Sequence, residues 1–443
     1  MSSDKAVAPN CLRIAPNCTW IREEMELRNF ENEASHSFLS GNVRFSSLLV
    51  RTLLENNPPN KNFIFDCMGV VSQLSGLHAA VDESVQLKIE HLLGIDKKDQ
   101  VKDEKKHEAP VNNNQGVSYQ EVGQILKDVC FKHERTILGK RKEKSTSLAF
   151  IDCSYYPTTA FLNDLKGFGI ITRVVDFQSE NPLKTIKKKL LDVVKRKKEY
   201  HSLSNPLSKM ILINEGTISK NWTRSFKKKQ VLPFHSGQKL GSYMASYLTV
   251  TAPFRVGHIS ELGANVVQLP YSGQHQSMFI ILPKECDGLE DMEKKLCRLD
   301  AWCMWNTLVS KLTTRLTFLA VPEFDFTTFV DMKPMIKELG MDEMFSPERN
   351  IFSAVSDEED FCISEYYQLN HATIVAEGQL LPPSERQKEI MLSVEPTGAI
   401  SYFEANHPFL FLIQDENTKS VLFVGRVCRP IKASRFSKIS TEG

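Results

Sequence analysis

Apolar side chains recur along this chain at two different spacings, and each spacing predicts its own kind of element. VRFSSLLVRTLLENN carries Val43, Leu48, Leu49 and Leu53 at helical intervals, so a helix opens the folded part. FIFD, residues 63–66, reads as a short strand. MGVVSQLSGLHAAV after it is apolar and rich in small residues, as a buried helix would be. SLAFIDCSYY is a strand, TTAFLNDLKGFG contains a short helix, and ITRVVDF is a strand again. In PLKTIKKKLLDVVKRKK, Leu183, Ile186, Leu190 and Val194 share one face, and eight Lys or Arg lie between 184 and 198. That is the pattern of an amphipathic surface helix.

The pattern then changes. KMILINEGTISKNW is apolar and β-branched, as a strand covered on both faces requires. From Gln230 onward the chain is mainly β. NVVQLPY and QSMFIILP form a hairpin, LTFLAVPEF and FCISEYYQLNHATIV are strands, and FLFLI pairs with VLFVGRV around DENTK. FVDMKPMIKELGM interrupts them as a short helix. The class is α+β, with helices early and a β-rich last third.

Four stretches carry no period. Residues 1–41 form a polar extension, residues 96–116 a charged and then polar loop insertion, and residues 431–443 a basic tail. The fourth is AEGQLLPPSERQKEIMLSVEPTG, a polar segment with two adjacent prolines set between apolar strands, in a loop region spanning 376–405. What remains is one domain over 42–430.

Composition narrows the partners more than the fold. With 41% hydrophobic and 25% charged residues in 443, the chain is globular, and a net charge of +1 provides no global field for nucleic acid. No apolar run reaches the roughly 18 residues of a membrane span, and MSSDKAVAPNCLRIAPNCTW lacks the apolar core of a secretory signal. Ten cysteines show no CxxC and no zinc spacing, so no metal or other cofactor is expected. Cys11 and Cys18 lie in a repeated APNC, their disulfide state open. Sequons at Asn17 and Asn221 would make a glycoprotein only of an exported chain. There is no G-x-S-x-G, P-loop, GxGxxG or H-E-x-x-H, so no enzyme is expected.

Several segments, in order, resemble the serpin family of serine protease inhibitors. HPFLFLIQDENTKSVLFVGRVCRP, residues 407–430, is similar to its C-terminal signature. LINEGTISKNWTRSF resembles the stretch that spaces Asn214, Trp222 and Phe226. ELGANVVQLPYSGQHQSMFIILPKE, VPEFDF and IKELGMDEMFSPERNIFSAVS resemble segments between them. The resemblance covers about 43–430 and implies a monomer of three β-sheets, eight or nine helices and an exposed reactive loop where AEGQLLPPSERQKEIMLSVEPTG stands. It also implies a serine protease as partner and an extracellular setting, although some members are cytoplasmic. In inhibitory members a protease cuts the loop, whose first part then inserts as a new central strand and distorts the protease.

Inhibitory loops begin Glu-Glu-Gly-Thr and continue with small residues. This hinge reads Glu377, Gly378, Gln379, Leu380, Leu381, Pro382, Pro383. The family's spacing from Gly378 places the reactive bond at Leu392–Ser393, suited to a chymotrypsin-like or elastase-like protease. The sheet-opening region also departs from the pattern. Asp66 to Gly69 replaces Ser-Pro-x-Ser, Gln368 begins the segment that usually reads His-Lys-Ala, and Asn214 and Trp222 keep their places without that histidine. One reading is a serpin with weak or lost inhibition that acts through binding; the alternative is a working suicide-substrate inhibitor. A third role, compatible with either, is binding a sulfated glycan through Lys184, Lys187, Lys188, Lys195, Arg196, Lys197 and Lys198.

Overall fold

The structure, a computed structural model, describes residues 45–46, 48–54, 60–93, 146–178, 207–218, 222–224, 226–237, 241–272, 275–297, 305–353, 355–356, 360–375, 400–417 and 419–433. Helical turns within 45–54 (α1) bury Leu49 and Leu53, as their spacing predicts. Strand β1 (Phe63–Asp66) runs directly into helix α2 (Cys67–His78). The Asp66 side chain accepts the N–H of Gly69 at 2.8 Å and so satisfies a donor that the first helical turn leaves open. All of α2 but Ser72 is buried, because a sheet packs on each side of it. A helix so placed needs no polar face, which is why MGVVSQLSGLHAAV shows none.

The first of those sheets has the order β10–β11–β4–β2–β3, from Phe324–Asp331, Ile363–Ile374, Met210–Ile218, Thr146–Asp152 and Ile170–Val175. The second contains nine strands. Its path starts at β1 and runs through β14 (Val421–Val427), β13 (Phe409–Asp415), β8 (Gln276–Pro283), β7 (Ala264–Pro270), β6 (Ser242–Ile259) and β9 (Thr313–Pro322) to β12 (Ser401–Glu404). Strand β5 (Lys228–His235) pairs with β6 off that path. Every residue of β13 and β14 is buried, and apart from Gln414, Asp415 and Arg426 the two strands are apolar. Gly425 lies opposite Phe411, and a Cβ there would come within 2.1 Å of the ring. That is the physical reason for glycine in VLFVGRV.

The sheets number two among the described residues, where the resemblance implies three. The 18-residue β6 accounts for the difference. Its first half pairs with β5, its middle with β9 and its last five residues with β7, welding two smaller sheets into one ladder. A second difference concerns FVDMKPMIKELGM. Phe329, Val330 and Asp331 belong to β10, held by pairing with β11 and by a 5.0 Å ring contact between Phe329 and Tyr367. The helix starts only at Lys333, with Pro334 in its first turn, where a missing N–H breaks no helical bond. Helices α3 (Glu83–Leu93), α4 (Thr159–Gly167), α5 (Leu289–Leu296), α6 (Trp305–Ser310) and α7 (Lys333–Glu338) complete the described set, apart from short 3-10 turns.

Candidate functional site

Strands β4 and β11 run parallel at the centre of the five-stranded sheet, paired directly from Glu365 opposite Ile211 to Ala372 opposite Ile218. Gln368 faces Asn214 across this seam. Asp66, at the junction of β1 and α2, sits where it meets both. Its Oδ2 accepts the Asn214 amide at 2.9 Å. Its backbone N–H donates to Gln368 Oε1 at 3.0 Å, and its carbonyl accepts from Gln368 Nε2 at 2.7 Å. Ser147 on β2 donates to Asn214 Oδ1 at 3.1 Å, and Asn370 donates to Gln368 Oε1 at 2.6 Å and to the Ile64 carbonyl at 3.2 Å. Asp66, Asn214, Gln368 and Asn370 are each no more than 1% exposed.

A buried carboxylate needs compensation, and the Gly69 N–H at the helix N-terminus and the Asn214 amide supply oriented donors to it. Burial first, and the Asp66 charge second, push the Cys67 thiol and the Tyr366 hydroxyl far above their ordinary ranges. Both therefore stay neutral, and Cys67 is no nucleophile. Gly69 is required by closeness: a Cβ there would lie 2.1 Å from Asn214 Nδ2.

Asp66 thus ties the β1–α2 junction to both strands of the seam. Inserting a strand between β4 and β11 adds one more interstrand spacing, about 4.8 Å, to their separation. Asp66 could then hold Asn214 or Gln368 but not both. A hydrogen bond to a charged group contributes about 1.5–3 kcal/mol and a neutral one about 1 kcal/mol.

Four of the five residues expected in the sheet-opening region, Asp66, Gly69, Asn214 and Gln368, are brought together. Trp222 is not among them. It follows β4, bridges to Tyr271, stacks on that ring at 4.6 Å and meets Phe226 edge-on at 6.1 Å. Asn214, left by the sequence without its histidine, has Asp66 and Ser147 instead. Ser147 was not singled out by sequence; the one available signal is a hydroxyl in the otherwise apolar run SLAFI.

The hinge Glu377 to Pro383, the reactive bond Leu392–Ser393, the basic residues Lys184 to Lys198, the sequon asparagines Asn17 and Asn221, and Cys11 and Cys18 lie outside the described residues. The two ends of the loop region are described. The chain leaves β11 of the five-stranded sheet at Val375 and rejoins the other sheet at β12. Among the described residues no helix is long and apolar enough to cross a membrane.

The sequence model of the family described as serpin (serine protease inhibitor) matches residues 40–430. Serpin B5 of Plecturocebus moloch is 25% identical over 346 residues, which make up 71% of this chain and 88% of the relative. Serpin B5 of Xenopus laevis is 25% identical over 233 residues, 51% of this chain and 58% of the relative. Among solved structures, uncleaved ovalbumin superposes with a TM-score of 0.71 at 20% identity, covering 89% of this chain and 100% of that one.

Proposed function

Because this chain belongs to the serpin family, we propose that it acts by binding and has lost efficient trapping of serine proteases. The family is one of protease inhibitors, not of enzymes, so the question is whether the trap still closes. Trapping needs the start of the loop to fold back from Val375 and enter between β4 and β11, antiparallel to both. Every N–H of the entering strand must then meet a neighbour.

The observation that carries the reading is the Pro382-Pro383 pair in that strand. Adjacent N–H groups in a strand point to opposite neighbours, so the two prolines remove one donor from each flanking ladder. Each buried carbonyl left unpaired costs on the order of 1–3 kcal/mol. Leu380 and Leu381 stand where inhibitory loops carry small residues, and Glu385 and Arg386 would be buried next without an evident partner. The Asp66 latch adds an opening cost on the sheet side. Both terms slow insertion, and inhibition depends on insertion outrunning hydrolysis of the acyl-enzyme.

The test is incubation with chymotrypsin, elastase and trypsin, followed by a denaturing gel. The expected result is cleavage of the loop without any band at the summed mass of protein and protease. A stable covalent band with any of the three would overturn the proposal in favour of a working inhibitor cut near Leu392–Ser393. Glu377 and Gly378, which keep the inhibitory pattern, are what favours that second reading.

A further inference from the structure

Arginine is almost never buried whole unless its charge and its N–H donors are met. Arg426 of β14 is 0% exposed. Side chains alternate along a strand, and Gly425 faces the ring of Phe411, so Arg426 points to the opposite side of the nine-stranded sheet. Helix α5 crosses there and sets Glu293, 6% exposed, against it. Phe63 and Leu410 are the register partners of Arg426 on its two sides. The guanidinium carbon lies 4.8 Å from the centre of the Phe63 ring. That ring attracts the charge through one face of the guanidinium and accepts none of the N–H groups in its plane.

The in-plane donors are left over. Arg426 Nε approaches Glu293 Oε1 to 3.4 Å without hydrogen-bond geometry, and among the described residues neither Nη1 nor Nη2 meets an acceptor. Burying such donors unmet is costly, and more so on a charged group. Nearby groups do not repair this. Burial outweighs the pull of Arg426 and lifts the Glu293 carboxyl to about 7, so Glu293 is a weak counter-charge. Glu290, one turn away on α5, is held by Lys294 at 2.8 Å. Burial pushes the Cys428 thiol up to about 12, so it stays neutral, and Arg429 beside it adds positive charge. Once Glu293 is protonated, a buried cation with unmet donors stands between the apolar side chains of Phe63 and Leu410. A compact monovalent anion supplies the missing charge and accepts N–H groups from several directions. The enclosure by α5 and the sheet disfavours anything larger.

We propose that Arg426 and Glu293 form a proton-linked site for a small monovalent anion of the chloride class, held by Arg426 Nη1 and Nη2 beneath α5 when Glu293 carries a proton. Ionised Glu293 repels the anion and serves as the counter-charge itself, so proton and anion enter together. Each then raises the affinity for the other. The test compares thermal midpoints of the whole chain in sodium chloride and in sodium gluconate at equal ionic strength, because gluconate is too large to enter. At about pH 5.5, chloride at about ten times its Kd should raise the midpoint by about 2 °C over gluconate, and at about pH 8.5 the difference should vanish. Glu293→Gln, which keeps the shape of the protonated carboxyl, should retain the chloride preference at both pH values. Arg426→Met should lose it at both. Equal wild-type midpoints in the two salts at the lower pH overturn the proposal, and so does a preference that survives in Arg426→Met. A preference in Glu293→Gln that still disappears at the higher pH overturns it too, since the proton link would lie elsewhere, and that arm stands whether or not the Arg426 variant folds.

Discussion

Removing the Asn214 side chain isolates the latch. Asn214→Ala takes the amide from Asp66 Oδ2, 2.9 Å away, and the acceptor from Ser147 Oγ. The first loss, a bond to a carboxylate, is about 1.5–3 kcal/mol, and the second, a neutral bond, about 1 kcal/mol. A total near 3 kcal/mol, with an unfolding entropy of about 2 cal/mol/K per residue across the domain, lowers Tm by about 4 °C. Asp66→Ala also loses the cap on Gly69, worth about 1 kcal/mol, but that term cancels in a double-mutant cycle. Urea unfolding of wild type, both single variants and the double variant should therefore give a coupling of about 1.5–3 kcal/mol. Hydrogen exchange of the β4 and β11 amides supplies the local readout, with faster exchange expected in each single variant. Coupling below about 0.5 kcal/mol, or unchanged exchange along the seam, would refute the latch.

Three further outcomes follow. Burial outweighs the pull of Arg426, 3.4 Å away, and raises the Glu293 carboxyl to about 7. The folded chain thus holds this proton more tightly than the unfolded chain, so stability declines by about 3 kcal/mol as pH rises from about 4.5 to about 7. Denaturation midpoints across that range should show the decline in wild type and lose it in Glu293→Gln; identical profiles would contradict the assignment. Replacing Leu380 to Pro383 by four alanines restores every strand donor, and the protease gel should then gain a covalent band with a chymotrypsin-like enzyme; its absence would remove the prolines as the obstacle. Elution from a heparin column should move to lower salt when Lys187, Lys188, Lys195 and Lys197 become Ala, and an unmoved peak would reject glycan binding by that stretch.

Strong patterns were legible and weak ones were not. The β13–β14 hairpin and α2 are covered on two sides and therefore mainly apolar, with Gln414, Asp415 and Arg426 the exceptions in the hairpin and Ser72, Gln73, Ser75 and His78 in the helix, and such runs have few alternative readings. Strand β5 begins with two lysines and a glutamine and contains Pro233. Its pairing with β6 alone makes it a strand, and a single sequence carries no trace of that partner. FVDM fails for the same reason, since the ladder to β11 overrides the local helix signal. At the site, family spacing picked out Asp66, Gly69, Asn214 and Gln368. Their hydrogen-bond partners were invisible because Asp66 and Gln368 are 302 positions apart, and only the crossing of β1 beneath the seam brings them together. Trp222 matched in spacing yet packs against Tyr271, since order along a strand does not fix which neighbour closes over its end.

The central claim is that the loop does not become a strand between β4 and β11. Insertion would add ladder hydrogen bonds at every loop residue that keeps its N–H and would bury the seam, so it reports directly as thermal stability. The decisive measurement is Tm by circular dichroism before and after quantitative cleavage of the loop. An unchanged Tm, within about 3 °C, is the result expected of a loop that stays out. A rise of 20 °C or more would mean that the strand enters despite Pro382 and Pro383 and would contradict the account.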